Sequence, residues 1–141
     1  MSQALEIITD KNIYLLELFL QQLGSSKQYF RYFEKRNLSV INNHLVTYVL
    51  MNDNQPVCYG HLDTESGIVW LGIAVVEKET GLGWGNQMMF HLIEKAKELY
   101  IDEIKLSVDK TNATAIRLYE KFGFKKIEEN QNLQFYKLLL R

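Results

Sequence analysis

Three glycines at alternate positions stand in a short loop between two apolar segments, in the run Thr80-Gly81-Leu82-Gly83-Trp84-Gly85. Glycine adopts positive φ angles easily and lets a ligand approach the backbone closely. When a helix follows such a loop, successive N–H groups point into one concavity at the positive end of the helix dipole, which suits a pyrophosphate. The loop therefore predicts an anion site, with a tight strand-to-helix turn as the alternative.

The residues that follow the loop exclude two common phosphate motifs. The dinucleotide fingerprint needs a glycine at the position of Asn86, and a P-loop needs Gly-Lys followed by Ser or Thr. Here Gly85 is followed by Asn86 and Gln87, so neither motif is present. A phosphate ligand of another kind is expected.

The other reactive side chains form no recognisable constellation. Cys58 is the only cysteine, and we interpret it as a buried small hydrophobe rather than a nucleophile. His44 and His91 have no partners at a useful spacing. No group of His, Cys, Asp and Glu has the spacing of metal ligands, so no metal is predicted.

The elements around the glycine loop follow from hydrophobic periodicity. Apolar residues at helical spacing predict a helix that Gly24 ends, and a second helical segment is predicted over 27–36. The continuous apolar run over 68–76 is typical of a strand buried on both faces. Further strands are predicted over 5–8, 44–51, 56–63, 104–108, 124–128 and 133–140, and further helices follow the glycine loop and span 112–122. Gly72 interrupts this run, and a glycine inside a strand is typical of a β-bulge.

Composition sets limits on the whole chain. With 141 residues, 47% of them hydrophobic, it predicts one domain over residues 1–141. A net charge of -1 makes a nucleic-acid partner unexpected, because phosphate affinity needs clustered Lys and Arg. We find no signal peptide and no apolar run of the roughly 20 residues that a membrane span needs. A cytoplasmic protein without a membrane partner is the expectation.

The stretch 75–124 resembles the GNAT superfamily of acyl-CoA-dependent N-acetyltransferases. Its glycine-loop motif, V-x-x-x-x-[RQ]-G-x-G-x-[GA], is matched from Val75 to Gly85, except that Thr80 stands where the family usually has Arg or Gln. Its second motif, N-x-x-A-x-x-[LF]-Y-x-[KR]-x-G-F, is matched from Asn112 to Phe124. Because backbone N–H groups bind the pyrophosphate, the departure at Thr80 bears on affinity rather than on activity.

The resemblance implies a role for each matched position. The N–H groups of the loop would hold the CoA pyrophosphate, and the backbone of 73–75 would pair with the pantetheine arm. The N–H of Ile73 would polarise the thioester carbonyl, and Tyr119 would protonate the leaving thiolate. Asn112 would contact pantetheine, or simply cap its helix. The implied cofactor-binding residues are Ile73, Ala74, Val75, Thr80, Gly81, Leu82, Gly83, Trp84, Gly85, Asn86, Asn112 and Lys121.

An amine acceptor also needs a base, and the strand over 68–76 has no carboxylate and no histidine. The nearest candidates are His61, Asp63 and Glu65, with a structural role for His61 and a water-relayed proton as alternatives. By alternation, Val57, Tyr59, His61 and Asp63 share one face of their strand.

The N-terminal half is expected to shape the acceptor groove. Tyr29, Phe30, Arg31 and Tyr32 are the candidate acceptor residues, either stacking on an anionic acceptor or forming one face of an amphipathic helix.

Taken together, the resemblance predicts a single-domain α/β (α+β) protein of the GNAT fold. A central, mostly antiparallel mixed sheet would be splayed at its fourth strand and flanked by about four helices. The expected activity is transfer of an acetyl group from acetyl-CoA to a primary amine of a small molecule or peptide, by direct attack. The alternatives are a non-catalytic acyl-CoA-binding module and a nucleotide-binding regulatory domain. The oligomeric state stays open, a homodimer included.

Overall fold

A computed structural model describes residues 2–141 of the chain and contains one seven-stranded sheet. The strands are β1 (Gln3–Ile7), β2 (Val46–Asn52), β3 (Gln55–Glu65), β4 (Ile68–Val75), β5 (Glu103–Asp109), β6 (Lys125–Glu129) and β7 (Leu133–Leu139). The α-helices are α1 (Tyr14–Gln21), α2 (Trp84–Glu98) and α3 (Ala113–Lys121). Each predicted strand is confirmed, with its ends within about two residues of the expected ones, the usual uncertainty of such boundaries.

The strand order is β1-β2-β3-β4-β5-β7-β6, and all neighbours are antiparallel except β4 and β5. The parallel pair is in register at one position, Trp70 opposite Lys105. Beyond Trp70 the two strands diverge. The mixed, mostly antiparallel sheet splayed at the fourth strand is therefore confirmed.

The two faces of β3 are covered by different parts of the chain. On one face, Phe19 of α1 stacks on Tyr59, with 5.9 Å between the ring centroids. On the other face, a Cβ at Gly60 would lie 2.5 Å from Met88 of α2, so glycine allows this helix to pack closely. Met88, Met89, Leu92 and Ala96 of α2 are fully buried. The side chains on the Tyr59 face are thus separated from α2 and lie under the N-terminal segment.

Two predictions about local structure are wrong. The segment 27–36 is not an α-helix: a 3₁₀ turn spans Gly24–Gln28 and turns follow. Instead of forming a helical stripe, Phe30 and Phe33 both contact Tyr59 of β3, at 5.1 and 5.7 Å between ring centroids. Three α-helices therefore flank the sheet in the described residues instead of about four.

The expected bulge at Gly72 is also not found, because the β3–β4 register runs without a shift from Glu65 opposite Ile68 to Cys58 opposite Val75. The splay arises where β4 leaves β5. Among residues 2–141, no helix has the length and apolar character needed to cross a membrane.

Candidate active site

The gap between β4 and β5 exposes backbone donors on β4. The N–H of Val76 donates to the Val57 carbonyl at 3.0 Å, which identifies the positions of β4 that bond to β3. Because these positions alternate along an antiparallel pair, Ile73 and Val75 direct their N–H and C=O groups away from β3, toward β5. The pairing with β5 is in register only at Trp70, so these groups face a cleft of about 1100 Å³.

The glycine loop closes one end of this cleft. Gly81 and Gly83 have φ values of +79° and +91°, a region that glycine enters without strain. Gly83 is the N-cap residue of α2, and no side chain caps this helix end. The first N–H groups of α2 are thus free to bind an anion at the positive end of its dipole.

The loop side chains take different directions. Leu82 is 64% exposed, whereas Trp84 is buried and donates from Nε1 to a Glu79 carboxylate oxygen at 3.0 Å. The Thr80 hydroxyl donates to the Glu77 carbonyl at 3.0 Å. The loop therefore offers its backbone, more than its side chains, to the cleft.

Helix α3 forms the opposite wall near the loop. The Asn112 side chain accepts a hydrogen bond from the Ala115 N–H at 3.3 Å, so it does cap α3, and it also lines the cleft. Lys121 Nζ donates to Asn86 Oδ1 at 2.6 Å and connects α3 to the first turn of α2. These contacts place both matched motifs at the same end of the cleft.

Tyr119 projects from α3 into the cleft wall. Its side chain is buried, and its hydroxyl makes no hydrogen bond within the described residues. Burial, with a smaller contribution from the Cys58 thiol, raises the pKa of Tyr119 to about 12. The hydroxyl therefore keeps its proton at neutral pH and is free to donate it.

Cys58 is fully buried, with Sγ 3.7 Å from the carbonyl oxygen of Trp84. Burial raises the pKa of this thiol, so the thiolate is disfavoured. The prediction of a buried small hydrophobe is confirmed.

A hydrogen-bonded cluster lies on the Tyr59 face of β3, at the other end of the cleft. The Tyr32 hydroxyl is 2.8 Å from both Asp63 Oδ2 and His44 Nε2. His44 Nδ1 is 2.8 Å from the Thr47 hydroxyl, and His61 Nδ1 is 2.6 Å from the Tyr59 hydroxyl. The alternation predicted for β3 thus brings Tyr59, His61 and Asp63 together as expected.

Burial determines the charge of this cluster. Desolvation lowers the pKa of His61 well below its usual range, and neighbouring His44 and Arg36 lower it further. Desolvation also lowers the pKa of His44, although Asp63 opposes the effect. Both imidazoles are therefore neutral at neutral pH, and the Asp63 carboxylate accepts a hydrogen bond from the Tyr32 hydroxyl.

His44 is the member of this cluster that the sequence did not reveal. It precedes β2 and is separated from Tyr32 by a stretch without regular periodicity, so no spacing rule connects the two. The expectation that His44 belongs to no constellation is wrong, because its ring nitrogens bond Tyr32 and Thr47. Ligand atoms of His44, His61 and Asp63 lie within 4.8 Å of one another, a proximity that sequence spacing did not indicate. The Tyr32 hydroxyl already bonds two of these residues.

Gly72 has a packing role that replaces the expected bulge. A Cβ at this position would lie 2.7 Å from Cε1 and 3.0 Å from Nε2 of His61. The His61 ring cannot move away easily, because the Tyr32 and His44 rings lie at centroid distances of 4.5 Å. Glycine at position 72 therefore lets the imidazole lie against β4, beside Ile73.

The substitution Gly72→Ala is expected to lower the free energy of unfolding by about 1–3 kcal/mol through overpacking. Urea denaturation of the variant measures this loss. In a His61→Ala background the same change should cost much less, because the ring that it meets is absent. Additive effects of the two substitutions would contradict the contact.

A sequence match identifies the family of this chain. The sequence profile of the acetyltransferase (GNAT) family matches residues 11–124. The chain belongs to this family. The acetyltransferase of the GNAT family from Streptococcus pneumoniae superposes with a TM-score of 0.83 at 15% identity, covering 99% of this chain and 100% of that one. The PaiA N-acetyltransferase from Thermoplasma acidophilum, in complex with coenzyme A, gives 0.80 at 16% identity with 99% of each chain covered. This GNAT chain therefore has the fold of its family.

Curated relatives match part of the chain. The spermine/spermidine N(1)-acetyltransferase of Bacillus subtilis is 42% identical over 64 residues, which are 44% of this chain and 42% of that protein. An N-alpha-acetyltransferase of Sulfurisphaera tokodaii is 37% identical over 59 residues, 41% of this chain and 35% of that protein. The matched stretch is thus less than half the length of either relative.

Proposed function

We propose that this GNAT protein transfers the acetyl group of acetyl-CoA to a primary amine. The observation that carries the proposal is the continuity of backbone donors along the cleft. Unpaired N–H groups of Ile73 and Val75 on β4 lead to the glycine loop and the uncapped N-terminus of α2. A pantetheine arm would add to β4 as an extra strand, and the pyrophosphate would lie on the loop.

The same cleft supports a direct transfer. The Ile73 N–H would donate to the thioester oxygen as negative charge develops there. The amine nitrogen would then form a bond to the carbonyl carbon, and the C–S bond would break. Tyr119 would donate its proton to the departing thiolate, since its raised pKa keeps the hydroxyl protonated.

The amine must lose a proton during this reaction. His61 is neutral and lies against Gly72, next to Ile73, so it is placed to accept the proton when the C–N bond forms. Its lowered pKa makes it a weak base toward a free ammonium, whose pKa is about 10. We therefore propose that His61 takes the proton after the C–N bond has formed, when the attached nitrogen is more acidic. A water molecule in the cleft is the alternative proton acceptor.

The acceptor enters from the end of the cleft that is opposite the glycine loop. Tyr29, Phe30, Arg31 and Tyr32 line the cleft, as do Asp63 and Glu65. The carboxylates favour a cationic amine over the anionic acceptor considered from the sequence. The Bacillus relatives are named for spermine and spermidine, which supports a small amine, whereas the Sulfurisphaera relative supports a peptide N-terminus.

The proposed steps use no metal ion, nucleic acid or membrane, and they need one copy of the chain. A homodimer is compatible with them. We place the protein in the cytoplasm because its one cysteine is free and buried, as in proteins of reducing compartments.

Calorimetric titration tests the donor end of the site. Acetyl-CoA is expected to bind one site per chain, and ATP and NAD are expected to bind at least about 100-fold more weakly, because they lack the pantetheine that pairs with β4. Release of free CoA in the presence of a panel of primary amines then measures turnover. Binding without turnover would favour an acyl-CoA-binding module. Tight binding of ATP or NAD without acetyl-CoA binding would favour a nucleotide-binding regulatory domain.

A further inference from the structure

One carboxylate at the acceptor end carries a charge that no cation neutralises. Asp63 Oδ2 accepts a hydrogen bond of 2.8 Å from the Tyr32 hydroxyl, while Oδ1 has no hydrogen-bond partner among the described residues. Among the described residues, the basic side chains within 4.0 Å of this carboxylate are the imidazoles of His44 and His61. Both rings are neutral, so they leave the negative charge of Asp63 uncompensated. The side chain is 19% exposed and lines the cleft.

A second polar group beside Asp63 also lacks a partner. His61 is 3% exposed, and its Nδ1 is bonded to Tyr59. Its Nε2 lies 3.9 Å from Asp63 Oδ2, too far for a hydrogen bond, and no other described residue bonds it. This nitrogen is open to the cleft, which His61 lines. An ammonium group in the cleft would neutralise Asp63, while His61 Nε2 stays available for the proton of the reacting nitrogen.

From this geometry we propose that Asp63 binds a second, non-reacting ammonium group of the acceptor, so that the preferred substrate is a linear diamine or polyamine. The inference rests on the proposed acetyl transfer. A carboxylate that held the reacting nitrogen would keep it protonated and unable to attack. Asp63 therefore fits a nitrogen that stays charged throughout the reaction.

The strand register sets the distance between the two nitrogens. Asp63 is opposite Trp70, three residues before Ile73 on β4. At about 3.3 Å per residue, Asp63 lies about 10 Å along the strand from the proposed oxyanion donor. The thioester and its attacking nitrogen take up about 3–4 Å of this length, which leaves about 6 Å between the nitrogens. An extended chain advances about 1.25 Å per bond, so three or four methylene groups span this distance.

Aromatic side chains border the path between the nitrogens. Trp70 is the cross-strand neighbour of Asp63, and Phe135 of β7 packs against it edge to face at 6.5 Å between centroids. The Tyr32 ring lies on the Asp63 side. Aromatic walls of this kind contact methylene groups favourably, and the face of a ring attracts an ammonium group.

Two charged residues near Asp63, Glu65 and Arg36, affect which longer polyamines bind. Glu65 lies two residues after Asp63 on the same face, about 6.6 Å farther from the reaction centre. A third nitrogen of a polyamine would reach it. The Arg36 guanidinium stacks on Tyr32, with Cζ 4.1 Å from the ring centroid, and repels a cationic acceptor.

The experiment compares matched acceptors with the full chain and saturating acetyl-CoA. Initial rates of CoA release are measured for n-butylamine and for α,ω-diamines with two to six methylenes. The wild type is expected to show a kcat/KM at least about tenfold higher for 1,4-diaminobutane than for butylamine, since a charged hydrogen bond is worth about that much. The optimum should fall at three or four methylenes, and 1,2-diaminoethane should be no better than butylamine.

Asp63→Asn keeps an oxygen that accepts the Tyr32 proton but removes the charge. It should lower the ratio of kcat/KM for 1,4-diaminobutane to kcat/KM for butylamine about 10- to 100-fold, mainly through a higher KM for the diamine. Glu65→Gln should raise KM for spermidine but not for 1,4-diaminobutane. Arg36→Gln should lower KM for both amines. Asp102→Asn, remote from the cleft, is the charge-matched control and should behave as the wild type.

Each outcome decides between the two proposals. Amine acetylation without a preference for diamines, or a preference that Asp63→Asn leaves intact, overturns the second-ammonium site while acetyl transfer stands. An equal loss with butylamine and diaminobutane assigns Asp63 a structural role and also overturns it. CoA release with none of these amines overturns the second-ammonium site, and the absence of release with the wider panel of primary amines and peptide N-termini overturns the proposed function as well.

Discussion

Replacing Tyr119 with phenylalanine is expected to lower kcat for acetyl transfer at least about 100-fold, while acetyl-CoA binds within about twofold of wild-type affinity. General acid catalysis contributes about 10²–10⁴-fold when the proton donor is well placed. The hydroxyl of Tyr119 makes no hydrogen bond within residues 2–141, so its removal leaves no buried partner unsatisfied. Stability should therefore stay within about 0.5 kcal/mol of wild type. Steady-state kinetics, calorimetry and urea denaturation measure the three quantities.

Tyr136 offers a matched control for this variant. It is also buried, but its hydroxyl bonds Glu120 and Gln134 and does not line the cleft. Tyr136→Phe should lower stability by about 1 kcal/mol and leave kcat unchanged. A Tyr119→Phe enzyme with more than half of the wild-type kcat would remove Tyr119 from the chemistry.

The pH profile gives a second measurement on Tyr119. Since its pKa is raised to about 12, the acid form persists throughout the range in which the protein can be assayed. The rate should rise from pH 7 to 9.5 as more of the amine becomes neutral, with no falling limb from loss of the acid. A falling limb near pH 8 would contradict this role.

Substituting valine for Gly83 is expected to weaken acetyl-CoA binding at least about 30-fold. The φ of this residue is +91°, which a β-branched side chain rarely adopts. A Cβ here would meet nothing within 4 Å, so strain in the backbone, rather than a clash, would move the loop. The loop and the first turn of α2 would then no longer direct their N–H groups at one pyrophosphate. Calorimetric titration with acetyl-CoA measures the effect.

Gly67 provides the control for this backbone strain. Its φ is +80°, a Cβ there also meets nothing within 4 Å, and it lies in the β3–β4 turn. Gly67→Val should destabilise the fold to a similar extent without changing the acetyl-CoA affinity. Equal losses of affinity in the two variants would show that the loop at Gly83 has no specific part in binding.

The C-terminal half of the fold was predictable because its signals are local. Strand alternation and helical spacing each depend on residues close in sequence, and the glycine loop combines both with a required φ. These signals located β4, α2, β5 and α3, and the two motifs placed Tyr119 and Asn112 beside the loop. The face shared by Tyr59, His61 and Asp63 followed from alternation alone.

The segment 27–36 could not be predicted in the same way. Its aromatic residues fit a helical stripe, but Phe30 and Phe33 both pack on Tyr59 of β3. Tyr32 packs on His61, and the Tyr29 hydroxyl bonds Thr111, so tertiary packing overrides the periodicity. The role of Gly72 was missed for a related reason. Its close neighbour is His61 on the adjacent strand, and a cross-strand contact leaves no trace in the spacing along one strand.

The amino-acid sequence by itself determined the family and the order of the strands, and it predicted a donor end of the site, because those features depend on backbone conformation and short-range spacing. Only the tertiary structure decided the acceptor end. It brings Tyr32, His44 and Asp63 from three separate segments within hydrogen-bond reach, and it leaves one carboxylate without a cation. Contacts between distant segments depend on how the whole chain packs, so one sequence read along its length does not reveal them.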